Sequence, residues 1–111
     1  MRLARRNRKR WLALIRALRE AYPPPIPTTI RTTRLSNDYY GITEYRDKPP
    51  HHLIKINSSL PYRERVEFLV HEYAHVLDHS ERHLQDNCEL HDDTWGIWYA
   101  RCYRIAQELL A

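Results

Sequence analysis

The chain has 111 residues, 42% hydrophobic and 29% charged, which is the size and mixture of one compact domain and leaves no room for a second independent core. Two cysteines, Cys88 and Cys102, are far below a disulfide-scaffold composition, and no run approaches the ~20 apolar residues of a membrane-spanning helix. The one candidate leader, basic Met1 to Arg10 followed by Trp11 to Ile15, is interrupted by Arg16 and Arg19, so the expectation is an intracellular, cytoplasmic protein with reduced thiols. The net charge of +4 hides an asymmetry. Residues 1–60 carry 13 Lys/Arg against 4 Asp/Glu, whereas residues 61–111 carry 5 against 10.

Taken in chain order, Arg2, Arg5, Arg6, Arg8, Lys9 and Arg10 form a cationic cluster able to neutralise phosphates on a nucleic acid without reading its bases. A solvated helix end is the plainer reading of the same residues. From about Asn7 to Tyr22, Trp11, Leu14, Ile15, Leu18 and Tyr22 recur at spacings of three and four, the stripe of an amphipathic helix. Pro23, Pro24, Pro25 and Pro27 end it and impose an extended connection. Residues 1–26 are therefore a basic helix and proline-rich connection packed on the same domain, and residues 27–111 its core. Ile30 to Leu35, Tyr39 to Tyr45 and Leu53 to Asn57 are rich in β-branched and aromatic residues. They are separated by turn chemistry at Ser36-Asn37-Asp38 and Asp47-Lys48-Pro49-Pro50, and the pattern predicts three strands.

Pro61 suits the first position of a second helix, along which Val66, Leu69, Val70, Tyr73, Ala74 and Leu77 keep the 3.6-residue period to about His79. Ser80 to Leu90 reads as a loop. A last helix is expected from about Asp93 to Leu110, capped by Asp92 or Asp93, with Trp95, Trp98, Tyr99, Cys102, Ile105 and Leu109 on one side. The fold class is α+β: helix, three-stranded sheet, helix, loop, helix.

The second helix contains His71-Glu72-Tyr73-Ala74-His75, an H-E-x-x-H motif. Residues four apart stand one turn apart on one helix face, so the His71 and His75 imidazoles can converge on one Zn²⁺. Glu72 lies about 100° round the helix, displaced from that centre yet near enough to serve as base toward a metal-activated water. Candidates for a third ligand are His79, Glu81, His83, Asp86, Cys88, Glu89 and His91. His79 continues the same helix and cannot wrap a tetrahedron with the first pair. His91 follows a loop long enough to reverse the chain and precedes a capped helix, so it is the better choice. A rival set of His71, His75, Cys88 and His91 would make a closed site with no position for water, and the protein would then be a non-catalytic zinc-stapled binding module. Asp78 and Asp86 are candidates to orient a ligand imidazole, with helix-end charge as their plainer reading. Either Tyr99 or Tyr103 is placed to stabilise an oxyanion, while the tryptophans read as core and rim packing.

From about residue 27 to 111 the chain resembles the SprT-like zinc metallopeptidases, a zincin-type family that includes proteases of DNA–protein crosslink repair. The resemblance rests on strands leading into Ile54-x-Ile56-Asn57, a helix bearing His71-Glu72-Tyr73-Ala74-His75, and a third histidine sixteen residues later that opens an aromatic-bearing helix. It implies a minimal zincin-like domain, His71, His75 and His91 as zinc ligands, Glu72 as catalytic base, and a zinc-dependent endopeptidase acting on protein or peptide substrates. The chain departs from the family at His91-Asp92-Asp93-Thr94-Trp95, where a glycine more often follows the histidine; bacterial members often add a cysteine-rich zinc ribbon after this core, and none is expected here. Nucleic-acid contact would then fall to the basic N-terminal helix.

Overall fold

A computed structural model describes residues 2–81 and 93–110. Three helices and one three-stranded mixed sheet form a small α+β domain: α1 (Arg2–Ala21), β1 (Thr28–Thr33), β2 (Gly41–Asp47), β3 (Pro50–Asn57), α2 (Tyr62–Glu81) and α3 (Asp93–Leu110). Every expected element is present, with displaced ends. Helix α1 begins five residues before the expected start at Asn7, because Leu3, Ala4 and the surrounding arginines and lysine are strong helix formers that need no packing partner to extend the helix. Its C-terminal end is fixed where the Tyr22 amide donates to the Leu18 carbonyl at 2.9 Å, immediately before the prolines.

The strand order is β1-β3-β2, so the last strand of the sequence is the central one. β1 runs parallel to β3 from Thr28↔His52 to Thr33↔Asn57, and β2 runs antiparallel to it from Gly41↔Ile56 to Asp47↔Pro50. That pairing shifts β1 two residues N-terminal of its expected limits. It also shifts β2 two residues C-terminal of its own and extends β3 back to Pro50, with a Lys48-Pro49 turn whose peptide bond is cis. Tyr39 and Tyr40 fall outside the strand; the Tyr39 amide donates to the Ser36 carbonyl at 3.0 Å and closes a turn instead.

Along β3, His52, Ile54 and Ile56 are buried and alternate with half-buried Leu53 and Lys55, the two-sided pattern of a strand that packs helices on one face. Helix α2 lies against that face and is enclosed on nearly all sides: Leu69, Val70, Tyr73, Ala74 and Val76 have no exposed surface. The Tyr73 hydroxyl donates to the Tyr22 carbonyl at 2.8 Å and ties the middle of α2 to the end of α1. From α1, Trp11, Leu14 and Leu18 join the same core, and from α3, Cys102 and Ala106 complete it, so α1 packs on one core with the rest of the chain. Leu109, expected on the packed side of α3, is 46% exposed and lines the rim of a small cavity with Leu14 of α1 and Val66 of α2. Among the described residues, no helix is long and apolar enough to cross a membrane. Helix α2 continues through Ser80 and Glu81; the remainder of the expected loop, with Asp86, Cys88, His91 and the Asp92 cap, lies outside the described residues.

Candidate metal centre

Because α2 is a regular helix through the motif, His71 and His75 stand one turn apart, and their Nε2 atoms are 3.3 Å from each other. Two nitrogens bound at 2.0–2.1 Å to one tetrahedral zinc ion lie about 3.3 to 3.4 Å apart, so the pair is spaced as two ligands of one ion would be. The same spacing also suits a proton shared between the rings. Imidazole nitrogen is suitable donor chemistry for zinc, and the pair fits the metal on that count too. His75 is buried, while His71 keeps a half-buried edge. The expected third ligand, His91, and its rival Cys88 lie outside the described residues. Among the residues that are described, no three histidine, cysteine or acidic side chains gather in a metal-holding group.

Glu72 is 9% exposed and turned toward the sheet. The Thr43 hydroxyl donates to its Oε2 at 2.6 Å. Sheet parity explains the meeting. Gly41 and Thr43 pair with Ile56 and Ile54, and cross-strand partners share a face, so all four point toward α2. The intervening Ile42 and Glu44 belong to the opposite face, where Glu44 pairs with Lys55 at 3.2 Å and Arg46 at 3.1 Å. Those two cations hold the Glu44 carboxyl below its ordinary value. Gly41 matters for the approach of α2. A Cβ built there would stand 3.1 Å from Ile56 Cδ1 and 3.3 Å from the Lys55 carbonyl oxygen, so a side chain would crowd the central strand first, and would meet Glu72 Cγ at 3.4 Å, an ordinary contact.

The remaining walls are aromatic. Trp95, near the start of α3, sets its ring 5.1 Å from that of His71 and 5.5 Å from that of His75, and its indole N–H points to the His71 carbonyl at 3.4 Å. Tyr99 stacks on Trp95 at 4.9 Å and stands 6.4 Å from His71. Its partial burial raises the phenol above its ordinary value, with the nearby Glu67 charge adding to the effect, so it stays a neutral donor at physiological pH. Tyr103 stacks on Tyr99 at 5.8 Å and is 40% exposed, one step further out from the histidines. Phe68 approaches His71 from the other side at 6.3 Å and is itself covered by Tyr40, stacked at 4.7 Å. Asp78, one turn beyond His75, is fully buried on α2.

Motif spacing locates the histidine pair and Glu72 but misses two of their neighbours. Trp95 packs, as its place on an apolar stripe implies, yet it packs on the imidazoles themselves. Thr43 carries no signal in the sequence, because nothing short of strand pairing says which face of β2 meets the motif. Comparison with protein-family models, with curated proteins and with solved structures finds no match.

Proposed function

We propose that the chain is a zinc-dependent peptide hydrolase of zincin-like architecture, and the observation that carries this reading is the 3.3 Å approach of His71 and His75 Nε2 beside a carboxylate held by Thr43. His71, His75 and His91 would hold the ion. When bound, zinc would supply Lewis acidity toward a water and a substrate carbonyl. Glu72 supplies the base: held through Oε2 by Thr43, its carboxylate takes the proton of the attacking water and returns it to the leaving amine nitrogen, so no net proton is consumed there. Trp95 and Phe68 limit the solvent around the imidazoles and fix their ring planes. Tyr99 is the nearer of the two tyrosines to the pair and is the one assigned to the developing oxyanion.

The test combines metal content with turnover of unstructured peptide or protein substrates. About one zinc per chain is expected, with most of it lost in His71→Ala and in His91→Ala. Glu72→Gln should keep zinc and fold and lose about 100-fold or more in kcat, the size of effect expected on removing a general base. Zinc that survives His91→Ala and is lost in Cys88→Ala, together with no hydrolysis, would instead support the closed, non-catalytic site.

A nucleic-acid partner is the second reading, and one observation favours it. Arg5, Arg6, Arg8, Lys9 and Arg10 are all exposed, and among the described residues no carboxylate pairs with them. The N-terminal half of α1 overhangs an open groove of about 780 Å³ whose polar lining is Asn7, Arg8, Thr32 and Arg65, with no acidic residue. A phosphate backbone is the partner this charge would attract.

A further inference from the structure

Helix α2 alone does not settle where the Glu72 carboxylate sits. Glutamate has three side-chain torsions, and a position 100° round the helix from His71 permits several placements of its carboxylate. What narrows them comes from another element. Strand β2 lies at an edge of the sheet and presents two residues of one face, Gly41 and Thr43, to the Glu72 side chain. Gly41 borders the Glu72 methylenes at ordinary contact distance, a Cβ built on it standing 3.4 Å from Cγ, and the Thr43 hydroxyl donates to the carboxylate at 2.6 Å. A hydroxyl suits the role because it offers a single proton, so it engages one carboxylate oxygen without a positive charge that would compete for the carboxylate.

Resting on the peptidase reading above, we infer that Thr43 is the positioning residue of the general base, its hydroxyl on β2 fixing where the Glu72 carboxylate does its proton work. The hydroxyl of Thr43 bonds to the Glu72 carboxylate, so it acts through Glu72. The hydroxyl restrains Oε2 and thereby orients the whole carboxylate, so losing it spreads the group over several placements and lowers the fraction in which a proton can be taken. The cost falls on kcat. Substrate binding and metal binding do not pass through this bond.

Thr43→Val keeps the shape and removes the hydroxyl; Thr43→Ser keeps the hydroxyl and removes the methyl. Thr43→Val should retain wild-type zinc content and KM while kcat falls roughly 10- to 100-fold, in line with the cost of about 1 Å of misplacement. Thr43→Ser should recover most of that loss. Independently of turnover, Glu72 side-chain rotamer populations, read from three-bond couplings in labelled metal-free protein, should be narrow in the wild type and Thr43→Ser and broad in Thr43→Val. If Thr43→Val does not fold, Thr43→Ala against Thr43→Ser makes the same comparison. Wild-type kcat in Thr43→Val, an equal loss in Thr43→Ser, or narrow Glu72 rotamers without the hydroxyl each overturn the inference. Unchanged activity in Glu72→Gln, by contrast, defeats the peptidase reading, and the rotamer measurement then decides the tether by itself.

Discussion

Asn57 illustrates how much one side chain at the end of a strand can organise. It is 2% exposed at the end of β3, and its amide nitrogen donates to the carbonyls of Tyr39 at 2.8 Å and of Leu35 and Ser36 at 3.3 Å. Its carbonyl oxygen accepts from the Ser59 hydroxyl at 2.8 Å and the Ser59 amide at 3.1 Å. One residue thus fixes both the segment that delivers the chain into β2 and the turn before α2. The first carries Gly41 and Thr43 to Glu72. Removing the amide strands several half-buried backbone groups, each costing about 1–3 kcal/mol when left unpaired. Asn57→Ala is expected to lower unfolding free energy by roughly 2–4 kcal/mol in urea titration, a size reserved for buried polar hubs. A loss below about 0.5 kcal/mol would show that water replaces the amide. Nothing in the sequence shows what Asn57 holds, because its partners in the segment before β2 lie about twenty residues away.

At the scale of elements, α1 divides into two functional halves. Trp11, Leu14 and Leu18 pack into the core, and the Arg19 guanidinium donates to the Thr28 carbonyl at 2.6 Å, so the C-terminal half is anchored to β1 and the body of the domain. Toward the N-terminus the helix carries exposed cations and exposed Leu3 and Leu12 over the groove. Changing Arg5, Arg6, Arg8, Lys9 and Arg10 together to alanine preserves helix propensity and leaves the anchoring residues in place. Binding to single-stranded oligonucleotides should be salt-sensitive in the parent chain, with a slope of log affinity on log salt of about −0.7 per phosphate contacted. The substituted chain should show a flatter slope and weaker binding at unchanged zinc content. No retention of the parent chain at low salt would leave these residues as a solvated helix end.

For the whole molecule, α2 is the axis: the sheet covers one side, α3 another, and α1 reaches it through Tyr73. Two of the groups sealed in this arrangement are ionisable at high pH. Burial pushes the Cys102 thiol up to about 12 and also raises the Tyr73 phenol well above its ordinary value. Both remain protonated in the folded chain at pH values where the unfolded chain has lost the proton. The unfolded state then binds fewer protons, so stability falls as pH rises. The contribution of Cys102 is fully present below about pH 9, its ordinary value, and disappears progressively toward about 12, with Tyr73 extending the fall. Melting temperature measured from about pH 8 to 11 should therefore drop steadily above about pH 9, and Cys102→Ala should soften the first part of that drop. A flat profile would mean that the thiol reaches solvent in the native state.

Which segments are helix and which strand was legible in the chain, because apolar spacing and proline or turn chemistry act over a few residues. So were the Trp11–Leu14–Leu18 stripe, the alternation around Ile54 and Ile56, and the one-turn spacing of His71 and His75, which any regular helix imposes. Element ends were less legible: helix propensity carried α1 back to Arg2, and strand pairing moved β1 and β2 by two residues each. Tertiary structure alone decided that β3, last in the chain, is central, since strand order depends on hydrogen bonds between segments distant in sequence. It also decided that Thr43 and Gly41 share the face that meets Glu72, and that Trp95 packs on the histidine rings. The physical reason is common to these cases. A helix supplies its own internal register, so an i, i+4 pair is fixed locally, whereas a contact across a sheet or between helices exists only after pairing register and packing angle have been chosen by the core as a whole.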